Sequence, residues 1–282
     1  MEIIPGPEWE GLLDELRKQK CTALFIGTTD SGKTTLVKYL AKRLIKETAK
    51  VSIVDTDVGQ STLGLPGTIS MKVFSNEKDI DNFRFEKMFF VGSTNPAKKI
   101  SLMMDGSRRM VDICREKSEI TLVDTTGLVS GEIGRALKIG KIRGIKPEHI
   151  IAIQRHDELE HILKLIENIS IHRIKASLMA KCRVKENRMK YREKKFLDYF
   201  NKKGVSEFLL HKHDVGFFYN GKSFSLKRGD FKDGTIIGLN HNEDTMALGL
   251  IVEITGDSLI FKSPIKSLRG INRVLFGEIT IS

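Results

Sequence analysis

The stretch Gly27-Thr28-Thr29-Asp30-Ser31-Gly32-Lys33-Thr34-Thr35 decides the reading of this chain. It follows CTALFIG (21–27), an apolar run that reads as a buried strand. It leads into KTTLVKYLAKRLIKET (33–48), where Leu36, Val37, Leu40, Leu44 and Ile45 recur at helical spacing. Strand, glycine-rich loop and helix, in that order, are the setting in which G-x-x-x-x-G-K-S/T binds phosphate. Glycines let backbone N–H groups curl round phosphate oxygens. Lys33 would reach the β- and γ-phosphates, the Thr34 hydroxyl would ligate Mg²⁺, and the helix N-terminus would add partial positive charge.

Outward from that loop, apolar runs alternate with amphipathic segments. KVSIVDTD, KMFFVGS, EITLVDTTG, EHIIAIQ and IHRIKASLM read as further strands. SLMMDGSRRMVDICREKS, GEIGRALKIGKIRGI, DELEHILKLIENI and VKENRMKYREKKFLDYF read as helices. This alternation predicts an α/β fold, a parallel sheet with helices on both faces. Beyond about Gly204 the texture changes to short β-type runs broken by Asn-Gly, Asp-Gly and Gly-Asp turns. The expected division is therefore 1–205, an α/β domain, and 206–282, a small and mostly β domain.

The chain has 282 residues, 40% apolar and 29% charged, within the range of ordinary globular proteins. No apolar run approaches bilayer length, and the acidic, amphipathic start is unlike a signal peptide, so no membrane association and a cytoplasmic location are expected. Cys21, Cys114 and Cys182 are far apart and read as reduced thiols. The net charge of +11 is uneven: residues 1–205 hold 38 basic and 27 acidic side chains, while 206–282 hold nine of each. Lys181–Lys203 alone holds 10 basic and 3 acidic residues. Such a cluster suits a polyanionic partner, although a solvated lysine-rich helix would look the same.

Two strand ends carry acids: Asp55 with Asp57, and Asp124 before Thr125-Thr126-Gly127. Ligands of open α/β sheets bind at the carboxyl ends of strands, so these acids belong on the nucleotide side. One acid could hold metal and another accept a proton from an attacking hydroxyl. Asp124-Thr125-Thr126-Gly127 also resembles the D-x-x-G of switch GTPases. The guanine-reading N-K-x-D is not matched, however: Gln154-Arg155-His156-Asp157 stands nearest, and Asp157 reads as a helix N-cap. A GTPase or NTPase switch, or an inactive nucleotide-binding scaffold, are the alternatives to phosphoryl transfer. Arg188 and Arg192 share a helix face, with Arg183 before them, and could close on a triphosphate. Met189, Phe196 and Phe200 would point inward, and Lys185, Lys190, Lys194 and Lys195 would be solvated or touch a nucleic-acid backbone. Lys98, Lys99, Arg108 and Arg109 form basic pairs that could line a groove or be plain surface.

The run EWEGLLDEL, IGTTDSGKTTLVKYLA, VDTDVGQSTLGLPGTI, VDTTGLVSGEIGRALKIGKI and RMKYREKKFLDYF resembles the Clp1/Grc3-type polynucleotide 5′-hydroxyl kinases, above all their short archaeal and bacterial members. The resemblance extends from about Glu8 to Phe200 and more weakly beyond. Its telling motif is Asp55-x-Asp57-x-Gly59-Gln60. The resemblance implies a P-loop α/β domain that transfers the γ-phosphate of ATP, with Mg²⁺, to the 5′-OH of RNA or DNA. By the same resemblance Gly27 to Thr35 form the nucleotide loop, and Thr34 and Asp55 serve the metal. Asp57 is then the general base, and Gln60 sits near the reacting groups. Thr125, Thr126 and Gly127 clasp the phosphates, and Arg188 and Arg192 are lid arginines. Eukaryotic relatives usually carry Trp after the clasp glycine; Leu128 stands here, forgoing a stacking contact worth roughly 1–3 kcal/mol. The N-terminal β domain of larger relatives is expected to be absent.

Overall fold

The computed structural model describes residues 5–47, 50–81, 83–177, 184–201 and 204–281. The first part runs α1 (Glu8–Arg17), β1 (Cys21–Gly27), α2 (Lys33–Leu44), β2 (Val51–Thr56), β3 (Thr68–Phe74), α3 (Glu77–Asp81) and β4 (Lys87–Phe90). It continues with α4 (Ile100–Lys117), β5 (Ile120–Thr125), α5 (Gly131–Ile145), β6 (His149–Gln154), α6 (Glu160–Leu163), β7 (Ser170–Lys175) and α7 (Lys185–Phe200). The C-terminal strands are β8 (Ser206–His211), β9 (Gly216–Tyr219), β10 (Lys222–Ser223), β11 (Thr235–His241), β12 (Asp244–Ile254), β13 (Ser258–Ser263) and β14 (Arg273–Thr280).

β2, β5, β1, β6 and β7 pair in that order, all parallel. Their side chains alternate between two cores, because successive residues of a strand face opposite sides. Ala23, Phe25, Ile53 and Leu122 join α1 and α2 on one face. Leu24, Ile26, Val54 and Val123 join α4, α5 and α6 on the other. Both faces of β2, β5, β1 and β6 are covered and every residue in them is buried, whereas β7, SIHRIK, at the edge is largely exposed.

The expected parallel sheet is a mixed one. β3 lies over residues where no strand was read, and it pairs antiparallel with β2 and with β4. Its residues, TISMKVF, are buried except for one, so it reads as a fully covered strand only once its neighbours are known. The helix expected over 157–169 shrinks to a single turn, α6. Glu158 accepts bonds from the N–H groups of Arg155 and His156, which holds the segment in a loop, and Asn168 at φ 59° turns the chain again. Asp157 is not its N-cap.

The C-terminal strands do not hang apart. β12 pairs with β4 at Thr245 and Met88, and the Phe90 N–H donates to Thr245 Oγ1, so one sheet continues across residue 205. Phe196, Tyr199 and Phe200 of α7 pack with Phe90, Ile236 and Leu248 across the join. Met189 is not inward: it is 45% exposed. Three of the four residues of the basic pairs meet acids of the C-terminal strands. Lys98 and Lys99 both pair with Glu278, and Arg109 pairs with Asp244; Arg108 is exposed. Cys21 and Cys114 are buried free thiols; Cys182 and Arg183 lie outside the described residues. Among the described residues no helix is long and apolar enough to cross a membrane.

Phe90 fits against bare backbone. A Cβ on Gly238 would stand 2.7 Å from the Phe90 ring, and one on Gly277 2.9 Å from it. Phe90→Ala should therefore open a cavity at the join and lower the unfolding free energy by about 3–5 kcal/mol, measured by denaturant titration.

Candidate nucleotide and phosphoryl-transfer site

The phosphate loop leaves β1 at Gly27, where no side chain fits: a Cβ would meet the Ile153 carbonyl and Ser31 Oγ at 2.6 Å. Asp30 (φ 58°) and Gly32 (φ 94°) adopt left-handed backbone, which coils the loop before α2 starts. Lys33 is buried, and Nζ donates to the carbonyls of Gly27 (3.1 Å) and Thr28 (2.7 Å). Burial lowers its pKa, against the pull of Asp124, Asp57 and Asp30. Thr35, in the first turn of α2, is exposed.

Parallel pairing sets Asp55 of β2 beside Asp124 of β5, and Thr56 beside Thr125. The two buried carboxyl groups have different work. Asp55 Oδ2 accepts from Ser61 Oγ and from the N–H groups of Thr62 and Leu63, and Oδ1 accepts from the Asp57 N–H. This carboxylate is occupied in folding the loop 57–63. Asp124 Oδ2 accepts the Thr34 hydroxyl at 2.5 Å, while Oδ1 is buried without a partner among the described residues. Burial first, and then the charge of Asp55, push the Asp124 carboxyl up to about 7. Thr34, expected to serve a metal together with Asp55, makes its side-chain hydrogen bond to Asp124, while Asp55 bonds to the loop 57–63. An orphaned buried oxygen next to a threonine hydroxyl fits a hard, oxygen-seeking cation.

Asp57 ends the turn. Its Oδ1 accepts from Gly59 N–H and Gln60 N–H, both at 3.0 Å, and Oδ2 makes no hydrogen bond among the described residues. Gln60 donates to the Gly59 carbonyl, and its Oε1 is buried without a described partner. On the far side of Gly59 lies the Thr94 carbonyl of the loop after β4.

The segment after β5 touches the phosphate loop. A Cβ on Gly127 would fall 2.4 Å from the Thr29 nitrogen and 2.5 Å from its Cα, so the two backbones meet there. Thr125 Oγ1 donates to the Phe25 carbonyl at 2.7 Å. Behind the segment stand two fully buried lysines of α5. Lys138 Nζ donates to Thr125 Oγ1 and the Thr126 carbonyl, and Lys141 Nζ donates to Thr56 Oγ1. Burial lowers both, Lys141 to about 7.

Helix α7 lies across these parts. Arg188 pairs with Asp30 at 2.7 Å, and the Tyr191 hydroxyl donates to the Ser61 carbonyl. Lys195, expected to be solvated, donates to the carbonyls of Thr62 and Gly64. Arg192 is half-buried one turn beyond Arg188 and makes no hydrogen bond or ion pair among the described residues. On the other flank Arg155 donates to the Asp30 carbonyl at 3.2 Å.

Gly27 to Thr35, Asp55, Asp57, Gln60, Thr125 to Gly127 and Arg188 thus gather at the carboxyl ends of β1, β2 and β5. The reading of the sequence did not single out Lys138, Lys141 or Tyr191, and it gave Arg155 and Lys195 no contact with the loops they bond. For the two α5 lysines a signal existed: they share the helical stripe of Gly134, Leu137, Ile142 and Ile145, where apolar residues belong.

The family model described as mRNA cleavage and polyadenylation factor CLP1 P-loop matches residues 27–202. The chain belongs to this family. Relatives within the CLP1 P-loop family include a polyribonucleotide 5′-hydroxyl-kinase of Methanocaldococcus jannaschii, 40% identical over 203 residues, which are 70% of this chain and 55% of the relative. Another, of Pyrococcus horikoshii, is 35% identical over 195 residues, 68% of this chain and 53% of the relative. The chain thus spans about half the length of these curated relatives. A third, of Thermococcus kodakarensis, is 28% identical over 93% of this chain and 88% of its own length. Among solved structures, Clp1p in a Clp1p–Pcf11p complex superposes with a TM-score of 0.77 at 11% identity, covering 96% of this chain and 78% of that one. This likeness shows the fold.

Two outcomes follow from the geometry. Gly127→Ala should force the clasp off Thr29 and weaken ATP binding by about tenfold or more, ~1.4 kcal/mol, measured by calorimetric titration. Asp55→Asn should lower stability by about 1–3 kcal/mol in denaturant titration, since Oδ2 serves three donors; Asp57→Asn should lower it less.

Proposed function

We propose that this chain transfers the γ-phosphoryl group of ATP to the 5′-hydroxyl end of a polynucleotide, RNA or DNA, in the cytoplasm. The observation that carries the proposal is Asp57 Oδ2, which makes no hydrogen bond among the described residues and is held at the end of the strand whose neighbour carries the Thr34–Asp124 pair. A switch that hydrolyses nucleotide has no need of a second acid fixed on the acceptor side. The polyribonucleotide 5′-hydroxyl-kinase names of the archaeal relatives support the same reading.

In this reading the loop Gly27–Thr34 wraps the triphosphate with backbone N–H groups, and Lys33 turns from its own carbonyls to the phosphates. Thr34 and Asp124 would hold Mg²⁺, which when bound neutralises charge on the phosphate oxygens. Asp57 Oδ2 takes the proton of the 5′-hydroxyl. The 5′-oxygen forms its bond to the γ-phosphorus as the bond to the β–γ bridging oxygen breaks, and ADP leaves. Arg192, with Arg188 once released from Asp30, neutralises charge on the group in transit. Gln60 orients the acceptor beside Asp57.

The test is transfer from γ-labelled ATP to RNA and DNA oligonucleotides with either 5′-hydroxyl or 5′-phosphate ends. Label should enter 5′-hydroxyl ends alone. Lys33→Ala should abolish it, and Asp57→Asn should cut kcat about 10²–10⁴-fold with little change in ATP affinity. Phosphate released without labelled oligonucleotide, or turnover with GTP that ignores the acceptor, would instead support the switch.

A further inference from the structure

A lysine on the buried stripe of an amphipathic helix is costly, because an ammonium taken out of water must recover its hydration from the protein. Lys138 is fully buried at such a position. Its Nζ faces three acceptors: Thr125 Oγ1 at 2.8 Å, the Thr126 carbonyl at 2.5 Å and Thr126 Oγ1 at 3.4 Å. All belong to the clasp between β5 and α5. Thr125 Oγ1 passes the connection on to the Phe25 carbonyl in β1, two residues before the phosphate loop begins. Gly127, next along, rests on Thr29 of that loop. A single side chain therefore ties α5, the end of β5 and the end of β1 at the point where the clasp meets the loop. A leucine would satisfy the core there and leave the Thr126 carbonyl free to turn.

We propose that Lys138 is a positioning residue for the triphosphate: its Nζ, as hydrogen-bond donor, holds Thr125 and Thr126 so that Gly127 stays seated on Thr29 and the clasp closes on the phosphates. This deepens the kinase reading by naming what shapes the phosphate half of the site. Lys138 touches no reacting atom. Its effect falls on the binding of the phosphate chain, not on the base and not on Asp57. Arginine cannot replace it, since a planar guanidinium does not offer three donors to three acceptors grouped round one nitrogen.

The experiment measures ATP and tripolyphosphate binding by calorimetry, and KM and kcat for transfer, in Lys138→Met, Thr125→Val and the double variant. Lys138→Met keeps the aliphatic stem and should raise the Kd of ATP about tenfold or more, with kcat at saturating ATP within ~3-fold of the parent. Tripolyphosphate should weaken by the same factor as ATP. The double variant should bind no more weakly than Lys138→Met, because both changes cut one connection. An unchanged Kd in a folded Lys138→Met protein overturns the proposal, whether or not the melting temperature falls. So does a loss for ATP that tripolyphosphate does not share, or full additivity in the double variant. Should Lys138→Met fail to fold, Thr125→Val, which removes the acceptor between Lys138 and Phe25, is read in the same way. Binding without any transfer by the parent protein would defeat the kinase reading and leave this binding test intact.

Discussion

Three carboxyl groups and three amines share the strand ends under the phosphate loop: Asp55, Asp57 and Asp124 with Lys33, Lys138 and Lys141. All but Asp57 are buried. Their formal charges balance, three against three, and a proton moved from a lysine to an aspartate leaves that balance unchanged. No single member would be tolerable alone in a low-dielectric interior. Together they let the protein hold acids next to a site built for a polyphosphate. Each acid is then differentiated by its neighbours. Among the described residues Asp55 is engaged by Ser61 Oγ and three backbone N–H groups, Asp124 by a hydroxyl on one oxygen, and Asp57 by two N–H groups on one oxygen.

Helix α7 extends this arrangement over the top. Its apolar residues Phe196, Tyr199 and Phe200 anchor it at the join between β4 and the C-terminal strands. Its polar residues reach the opposite way, to Asp30 through Arg188 and to the loop 61–64 through Tyr191 and Lys195. The Arg188–Asp30 pair gives the arginine an anionic partner within the phosphate loop itself. The C-terminal strands thus bear on the site at one remove. They supply the surface on which the helix sits, and their Glu278 and Asp244 pair with Lys98, Lys99 and Arg109.

The sequence by itself determined the phosphate loop, the strand–helix alternation and the acids at two strand ends. Each is a local signal: a fixed motif, a period of 3.6 or a run of buried residues bounded by turns. The helix Gly131–Ile145 and the strand Cys21–Gly27 appear with the very limits their residues imply. Only the tertiary structure decided which donors each acid meets. Asp55 and Asp57 look alike in sequence, and Asp124 lies about seventy positions further on; cross-strand register and backbone donors tell them apart. The antiparallel β3, the shortened α6, and the tying of Lys98, Lys99 and Arg109 to the C-terminal strands likewise depend on partners remote in the chain. Such pairings have no period to read, because the groups that satisfy a buried charge or a strand edge are chosen by folding and not by neighbours in sequence.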